Sequence, residues 1–388
     1  MTIAAARAGL EGLIVPATNA LEAAQVEGLQ IIGAETLSQV VEFLKGTWEP
    51  AAIETLAPKA VTTVGVDFSE IRGQAQARRA LEVAAAGGHN ALMIGPPGAG
   101  KTMLARRLAT ILPELTREEA LEATQLHSVA GLLSGEGLLR SRPFRAPHHS
   151  ISMAGLLGGG GSFLRPGEVS LATHGVLFLD ELTEFRRDAI EGLRQPLEDG
   201  RVVVARAIGS VEFPARFTLV AAANPCPCGF EGDPRRRCTC QQNRADMYRA
   251  KLSGPLLDRI DMRLRVPRLT KQELLGSVPG EASDQIRARV QRARDLQRAR
   301  YAPGGPSCNA HLTGPAARRS VELSRDAEEL LSRAVDAMAL TGRGFDRALK
   351  VARTVADLEE AEVVGADHLA EALSYRDGLG DKELARAG

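Results

Sequence analysis

Apolar residues along this chain recur in two rhythms. Short unbroken runs in "HNALMI", "GVLFLDEL" and "FTLVAAAN" lack polar alternation, which is the pattern of strands covered on both faces in a parallel sheet. From Leu269 onward, charged and small apolar residues alternate at helical spacing, clearest in "SRDAEELLSRAVDAMAL" and "ADHLAEALSYR", and predict a helical lid. Before the third apolar run, "GRVVVARAIGSVEFPARFTL" places alternating valines at 202 and 204 and then passes through Gly209-Ser210, predicting a β-hairpin that turns there. "TWEPAAIETLAPKAVTTVG" carries two prolines and no sustained period, so it reads as a linker. No internal repeat or low-complexity tract is evident. The expected division is a short αβ segment at 1–50, a linker at 51–66, an α/β core at 67–268 and helices at 269–388.

With 388 residues, 44% of them hydrophobic, the chain has apolar material for more than one core. No apolar run approaches membrane-span length, and "MTIAAARAGLEGLIVP" has an arginine inside its weak apolar stretch and no cleavage pattern, so a cytoplasmic address without membrane contact is expected. Five cysteines, an odd number, are then expected as thiols or metal ligands rather than as a disulfide framework. Lysine plus arginine equals aspartate plus glutamate at 48 each, so bulk charge does not announce a nucleic-acid partner. Any such partner must be argued locally.

The first apolar run leads into "GPPGAGKT" and "MLARRLATIL". A strand, the turn Gly95, Pro96, Pro97, Gly98, Ala99 and Gly100, then Lys101 and Thr102 opening a helix, is the P-loop arrangement in its required context. Gly98 and Gly100 let backbone N–H groups face phosphate oxygens, and the helix N-terminus adds a favourable dipole. Lys101 is expected on the β- and γ-phosphates of ATP, and the Thr102 hydroxyl on Mg²⁺. The second run ends in Asp180 and Glu181, which emerge where ligands of open α/β sheets sit. Asp180 is expected in the Mg²⁺ shell and Glu181 on the attacking water. Asn224, ending the third run, can sense the γ-phosphate beside them. Arg259 in "LLDRIDMRLRVP" and Arg343 in "TGRGFDRALKVARTVADL" suit arginines that stabilise transferring phosphate, although a surface role fits either equally.

These residues stand in longer blocks: "DFSEIRGQAQARRALEVAAAGGHNALMIGPPGAGKTMLARRL", "RPFRAPHHSISMAGLLGGG", "PGEVSLATHGVLFLDELTEFRRDAIEGLRQPLEDG", "NPCPCG" and "SGPLLDRIDM". Together they resemble the magnesium-chelatase-like AAA+ ATPases, and within them the ComM/YifB group, over most of residues 67–376. The resemblance implies a P-loop AAA+ core with Asn224 as sensor 1, Arg259 as an arginine finger offered to a neighbouring subunit, and Arg343, with Arg347 as the alternative, as sensor 2. A finger given in trans implies a homo-oligomeric ring, with a hexamer expected. Residues 1 to about 50 resemble the end of the Lon-protease-like domain of this group, in a much shorter version. No serine and lysine are placed there like a Lon dyad, so peptidase activity is not expected.

The ring is expected to act as a motor with inserted loops lining its pore. Four glycines from Gly158, followed by Phe163 and Arg165, resemble one such insertion; the valine hairpin, with Arg201 and Arg206, suits contact with phosphates. The ComM resemblance implies a DNA translocase or helicase acting on single-stranded or branched DNA, in branch migration during natural transformation and recombination. Two other readings remain: a chelatase-type subunit remodelling a protein partner for metal insertion into a tetrapyrrole, and a nucleotide-gated scaffold.

"NPCPCGFEGDPRRRCTC" gathers Cys226, Cys228, Cys238 and Cys240. Four thiolates suit tetrahedral Zn²⁺, but C-x-C spacing is tighter than the usual ligand pair, and four reduced thiols on a loop fit as well. Arg235, Arg236 and Arg237 beside them favour thiolate. His148 and His149 are adjacent, and on an extended segment they would point to opposite faces, which disfavours a shared metal. The arginine-rich "RARVQRARDLQRAR" is expected to be a helix whose basic face is solvated or meets acidic neighbours.

Overall fold

The computed structural model describes residues 1–53, 66–133, 137–160, 164–206, 209–233, 235–252, 254–276, 280–301 and 304–376. Most of the expected linker, residues 54–65, lies outside them, as do Phe163 and the side chain of Arg206. The chain divides into two compact units, Met1–Thr62 with Glu114–Arg142, and Thr63–Pro113 with Pro143–Gly388.

In the first unit, strands Gly12–Pro16 and Gln30–Ala34 pair in parallel, joined through the helix Ala17–Ala23. A pair this small buries little by itself. The helix Arg117–Val129 groups with it: Ala120, Ala123 and Leu126 are buried, and Arg117 donates to the Gln25 carbonyl at 3.0 Å. Thr116 and Glu119 form a reciprocal cap that starts this helix. A segment that follows the P-loop in sequence thus belongs with the N-terminal strands.

The second unit is built on a five-stranded parallel sheet of β1 (Ala91–Ile94), β2 (Phe144–Arg145), β3 (Val176–Leu179), β4 (Thr218–Ala223) and β5 (Met262–Arg265). Its order is β5-β1-β4-β3-β2. All residues of β1 and β3 are buried, as unbroken apolar runs require. The helix Lys101–Ile111 turns Leu104, Ala105, Leu108 and Ile111 into the core, one face at helical spacing. Ser283–Arg300 buries Ile286, Val290, Ala293 and Gln297 in the same way, and Gly342–Leu358, capped by the Thr341 hydroxyl, packs beside it. The arginines of Ser283–Arg300 are engaged within the chain rather than merely solvated. Arg289 pairs with Glu82 at 2.7 Å, Arg300 with Asp357, and Arg294 donates to the Ala85 and Ala86 carbonyls. Such a face has little charge left for a nucleic acid.

The expected hairpin forms from Arg201–Arg206 and Gly209–Pro214, with Val202, Val204 and Phe213 inward and Val203 and Val211 exposed. Its turn is not at Gly209-Ser210: both residues are in the second strand, opposite Arg206 and Ala205. The alternating period continues through glycine once a partner strand supplies the hydrogen bonds. Arg201 is paired with Glu212 across the ladder at 3.0 Å.

Candidate nucleotide-binding site

Because β4 lies between β1 and β3, the residues that follow these three strands emerge side by side at one edge of the sheet. Ala223 is in register with Ile94, and Ala221 with Leu179, so Asn224, Gly95 and Asp180 are neighbours although far apart in sequence. The turn from Gly95 to Gly100 needs its glycines for separate reasons. Gly98 and Gly100 have φ of +75° and +90°, in the left-handed region, and a Cβ on Gly98 would meet nothing within 4 Å. A Cβ on Gly95 would strike the Val266 carbonyl, which is rigid backbone. Gly95→Ala is therefore expected to cost roughly 1–3 kcal/mol of stability and distort the turn, read as a lower urea midpoint and weakened nucleotide binding. Unchanged values for both would show that β5 shifts freely.

The Lys101 ammonium is buried and donates to the Gly95 carbonyl at 2.7 Å, the Pro96 carbonyl at 3.1 Å and Asn224 Oδ1 at 3.1 Å. Desolvation lowers its pKa, and the charges of Asp180 and Glu181 oppose that shift. The Thr102 hydroxyl donates to Asp180 Oδ2 at 2.5 Å, so the two expected Mg²⁺ ligands already face each other. Glu181 is exposed and adopts a left-handed backbone, φ 52°. Lys101, Thr102, Asp180, Glu181 and Asn224 thus share one edge, and their donor set suits a magnesium–triphosphate group: N–H groups and an ammonium for phosphate, a hydroxyl and a carboxylate for a hard cation. Gln74 also helps, its amide donating to the Ala99 carbonyl at 2.6 Å to hold the turn from behind. Nothing in its local sequence marks it.

Arg259 and Arg343 are elsewhere. Asn90, just before β1, donates from Nδ2 to the Arg259 carbonyl at 3.0 Å, and Asp261 and Met262 donate to the Asn90 carbonyl. Arg259 therefore lies at the amino ends of the strands, opposite the edge that carries Lys101. The four residues of β5 separate the edges by about 10–13 Å at roughly 3.3 Å each. Arg259 is ion-paired with Glu198 and lines a cavity of about 750 Å³ together with Asp258, Arg343, Arg347 and Lys350; no residue of the glycine-rich turn lines it. Arg343 exposes 62% of its side chain, 3.6 Å from Asp258, whereas Arg347 exposes 12% and is 3.5 Å from Asp261. Of the two sensor candidates, Arg343 is the one open to a ligand.

Residues 67–274 match the family model for magnesium chelatase, subunit ChlI, and residues 280–376 the model for its C-terminal part. The chain belongs to the magnesium-chelatase-like AAA+ family, in its ComM/YifB group. It is 47% identical over 375 residues to an uncharacterized protein of Mycobacterium tuberculosis, covering 96% of this chain and 74% of that one. It is 44% identical over 379 residues to the competence protein ComM of Haemophilus influenzae, covering 96% and 73%. With YifB of Escherichia coli the identity is 41% over 368 residues, covering 94% and 71%. The α/β sheet described above is the AAA+ core of this family.

One feature of this AAA+ chain departs from the sequence reading. His148 and His149 do not point apart: their rings are 4.0 Å between centroids, because the segment bends, with Ile151 donating back to the His148 carbonyl and the Ser150 hydroxyl 2.8 Å from His148 Nδ1. His149 Nδ1 lies 3.7 Å from Glu181 Oε2, which brings it to the edge that holds Lys101, a proximity that local sequence does not signal. The four cysteines converge despite their tight pair spacing, and all four sulfurs lie within 4.8 Å of one another. Cys226 and Cys228 are in a turn closed by the Gly229 N–H on the Cys226 carbonyl at 2.9 Å, and Cys238 and Cys240 return to it from an irregular segment. Among the described residues, no helix is long and apolar enough to cross a membrane.

Proposed function

We propose that this chain is an ATP-hydrolysing subunit of a homo-oligomeric ring, a hexamer by preference, whose turnover drives movement along DNA. The observation that carries the ring is the separation of Arg259 and Arg343 from Lys101 by the length of a strand. Within one chain the arginines are at the wrong edge for the phosphates; a neighbour's copy can complete the site. Gly95 to Gly100, Lys101, Thr102 and Asp180 would hold ATP with Mg²⁺, and the bound ion would neutralise charge on the transferring phosphoryl oxygens. Lys101 exchanges the Gly95 and Pro96 carbonyls for phosphate oxygens. Glu181 orients the attacking water and accepts its proton, and Asn224 reads the γ-phosphate.

The DNA reading draws on the likeness to a protein named for competence and on the hairpin, whose exposed Val203 and Val211 are available to a partner. In this reading the ring is a DNA translocase or helicase of the ComM type, acting on single-stranded or branched DNA in branch migration during natural transformation or recombination. Contacts to the backbone would bind without sequence preference and weaken steeply with salt.

The test is ATP turnover with and without forked and four-way DNA, together with strand displacement, for the native chain and Glu181→Gln. DNA-stimulated turnover and displacement that Glu181→Gln abolishes are expected. Equal displacement by both proteins would sink the mechanism. Stimulation by a protein partner alone would move the reading to a chelatase-type subunit, and bound ATP without turnover to a scaffold.

A further inference from the structure

The hydrolytic residues leave the four-cysteine cluster without a task, and its geometry points to a Zn²⁺ tetrathiolate site whose loop braces the phosphate-binding turn. Cys226 Sγ is 3.4 Å from Cys228 Sγ and 3.7 Å from Cys238 Sγ, and Cys228 Sγ is 3.6 Å from Cys238 Sγ. A tetrahedron of sulfurs at about 2.3 Å from zinc has edges of about 3.8 Å, close to these separations. The spacing suits one central ion; a multinuclear iron–sulfur cluster spreads its cysteines around a larger body. Oxygen-seeking Mg²⁺ and Ca²⁺ do not suit four sulfurs. Backbone N–H groups supply the outer support that ligating sulfurs need: Cys228 N donates to Cys240 Sγ at 3.3 Å, and Cys240 N to Cys238 Sγ at 3.4 Å. Among the described residues, the fifth cysteine, Cys308, belongs to no such group.

The bracing follows from what this loop touches. Cys226 is two residues past Asn224, which receives the Lys101 ammonium. Gly229, at φ +81°, backs onto Pro97 so closely that a Cβ would lie 2.5 Å from its Cδ. Phe230 is under the Arg268 guanidinium, 5.2 Å from its centroid; Arg268 pairs with Asp233 at 3.1 Å and reaches the Pro97 carbonyl at 3.4 Å. One short segment thus leads from the sulfurs to both Asn224 and the glycine-rich turn, and an ion closing it removes the freedom of the loop that backs them. This second half rests on the nucleotide-binding reading; the metal itself does not.

Elemental analysis of the full chain, purified without chelator, is expected to give about one zinc per chain. Cobalt substitution should give thiolate charge-transfer and tetrahedral visible bands. Cys228→Ser and Cys238→Ser should lose the ion and Cys308→Ala keep it. Since the serine variants can misfold, zinc is also stripped from the native chain with a thiol reagent and followed with a chromogenic chelator. Less than about a tenth of an ion per chain from zinc-supplied cells, or iron in its place, would overturn the site. Stripped protein should bind a fluorescent ATP analogue roughly 10-fold more weakly than zinc-loaded protein. Equal affinity would overturn the bracing alone. If zinc-loaded protein bound no nucleotide, the ATPase reading and the bracing would fall together, while the zinc count would still decide the metal site.

Discussion

Under the shared-site proposal, Arg259→Ala is expected to lower ATP turnover by roughly 10³-fold or more while leaving nucleotide affinity within a few fold. The first half follows from charge: an arginine on the transferring phosphoryl group acts mainly in the transition state, so its loss appears in the rate rather than in binding. The second half follows from place, since Arg259 is at the amino ends of the strands and the glycine-rich turn is at their carboxyl ends. Mixing gives the sharper result. Arg259→Ala and Lys101→Ala subunits, each inactive alone, should recover measurable turnover together, because some interfaces then join an intact Lys101 edge to an intact Arg259 edge. The check is steady-state phosphate release across mixing ratios, with the ring monitored by light scattering. No recovery from rings that demonstrably exchange subunits, or near-normal turnover of Arg259→Ala alone, would end the shared-site model. Glu198 now pairs with Arg259 and must release it, so Glu198→Gln should leave the finger at least as available.

The largest expected effect on stability is at Asp357. Its carboxylate is fully buried and receives Arg353 Nε at 3.0 Å, Arg300 and Asn309 Nδ2 at 2.8 Å, while Arg353 itself exposes only 2% of its side chain. Asp357→Ala leaves a guanidinium inside the protein without its counter-charge, and breaking such a pair costs about 3–5 kcal/mol. Arg353 keeps its bonds to the Ala361 and Glu362 carbonyls, so it is held in place and cannot escape to water. The cost should appear as a lower urea midpoint for the unit that carries the sheet, with a smaller loss for Asp357→Asn, whose single carbonyl oxygen can still accept from Arg300 and Arg353 at the Oδ1 position while its NH2 faces the donors that Oδ2 now serves. A loss below about 1 kcal/mol would mean that water reaches Arg353 when the carboxylate is gone.

Much of this protein could be read one stretch at a time. The strand, glycine turn and helix around Lys101 are contiguous, and each constraint, apolar burial, positive φ and a free helix end, acts within a few residues. The acids after β3 and the amide after β4 were legible for the same reason: strands in a parallel sheet end at a common edge, so the end of an apolar run already places its next residue. The hairpin was legible from alternation, but its turn was misplaced because glycine and serine serve in strands once paired. The histidine pair was misread because a bend, which two residues cannot announce, replaced the extended backbone that the argument assumed.

What the sequence determined by itself was therefore the local chemistry: which residues could grip a phosphate, carry a hard cation or offer a thiolate. Tertiary structure decided how these were grouped. It brought two tight C-x-C pairs into one set of sulfurs, sent Arg117–Val129 to the N-terminal strands, and set Arg259 and Arg343 at the edge opposite Lys101. Those outcomes depend on strand order and on which surfaces pack, interactions between residues distant in the chain, and no short-range pattern encodes them.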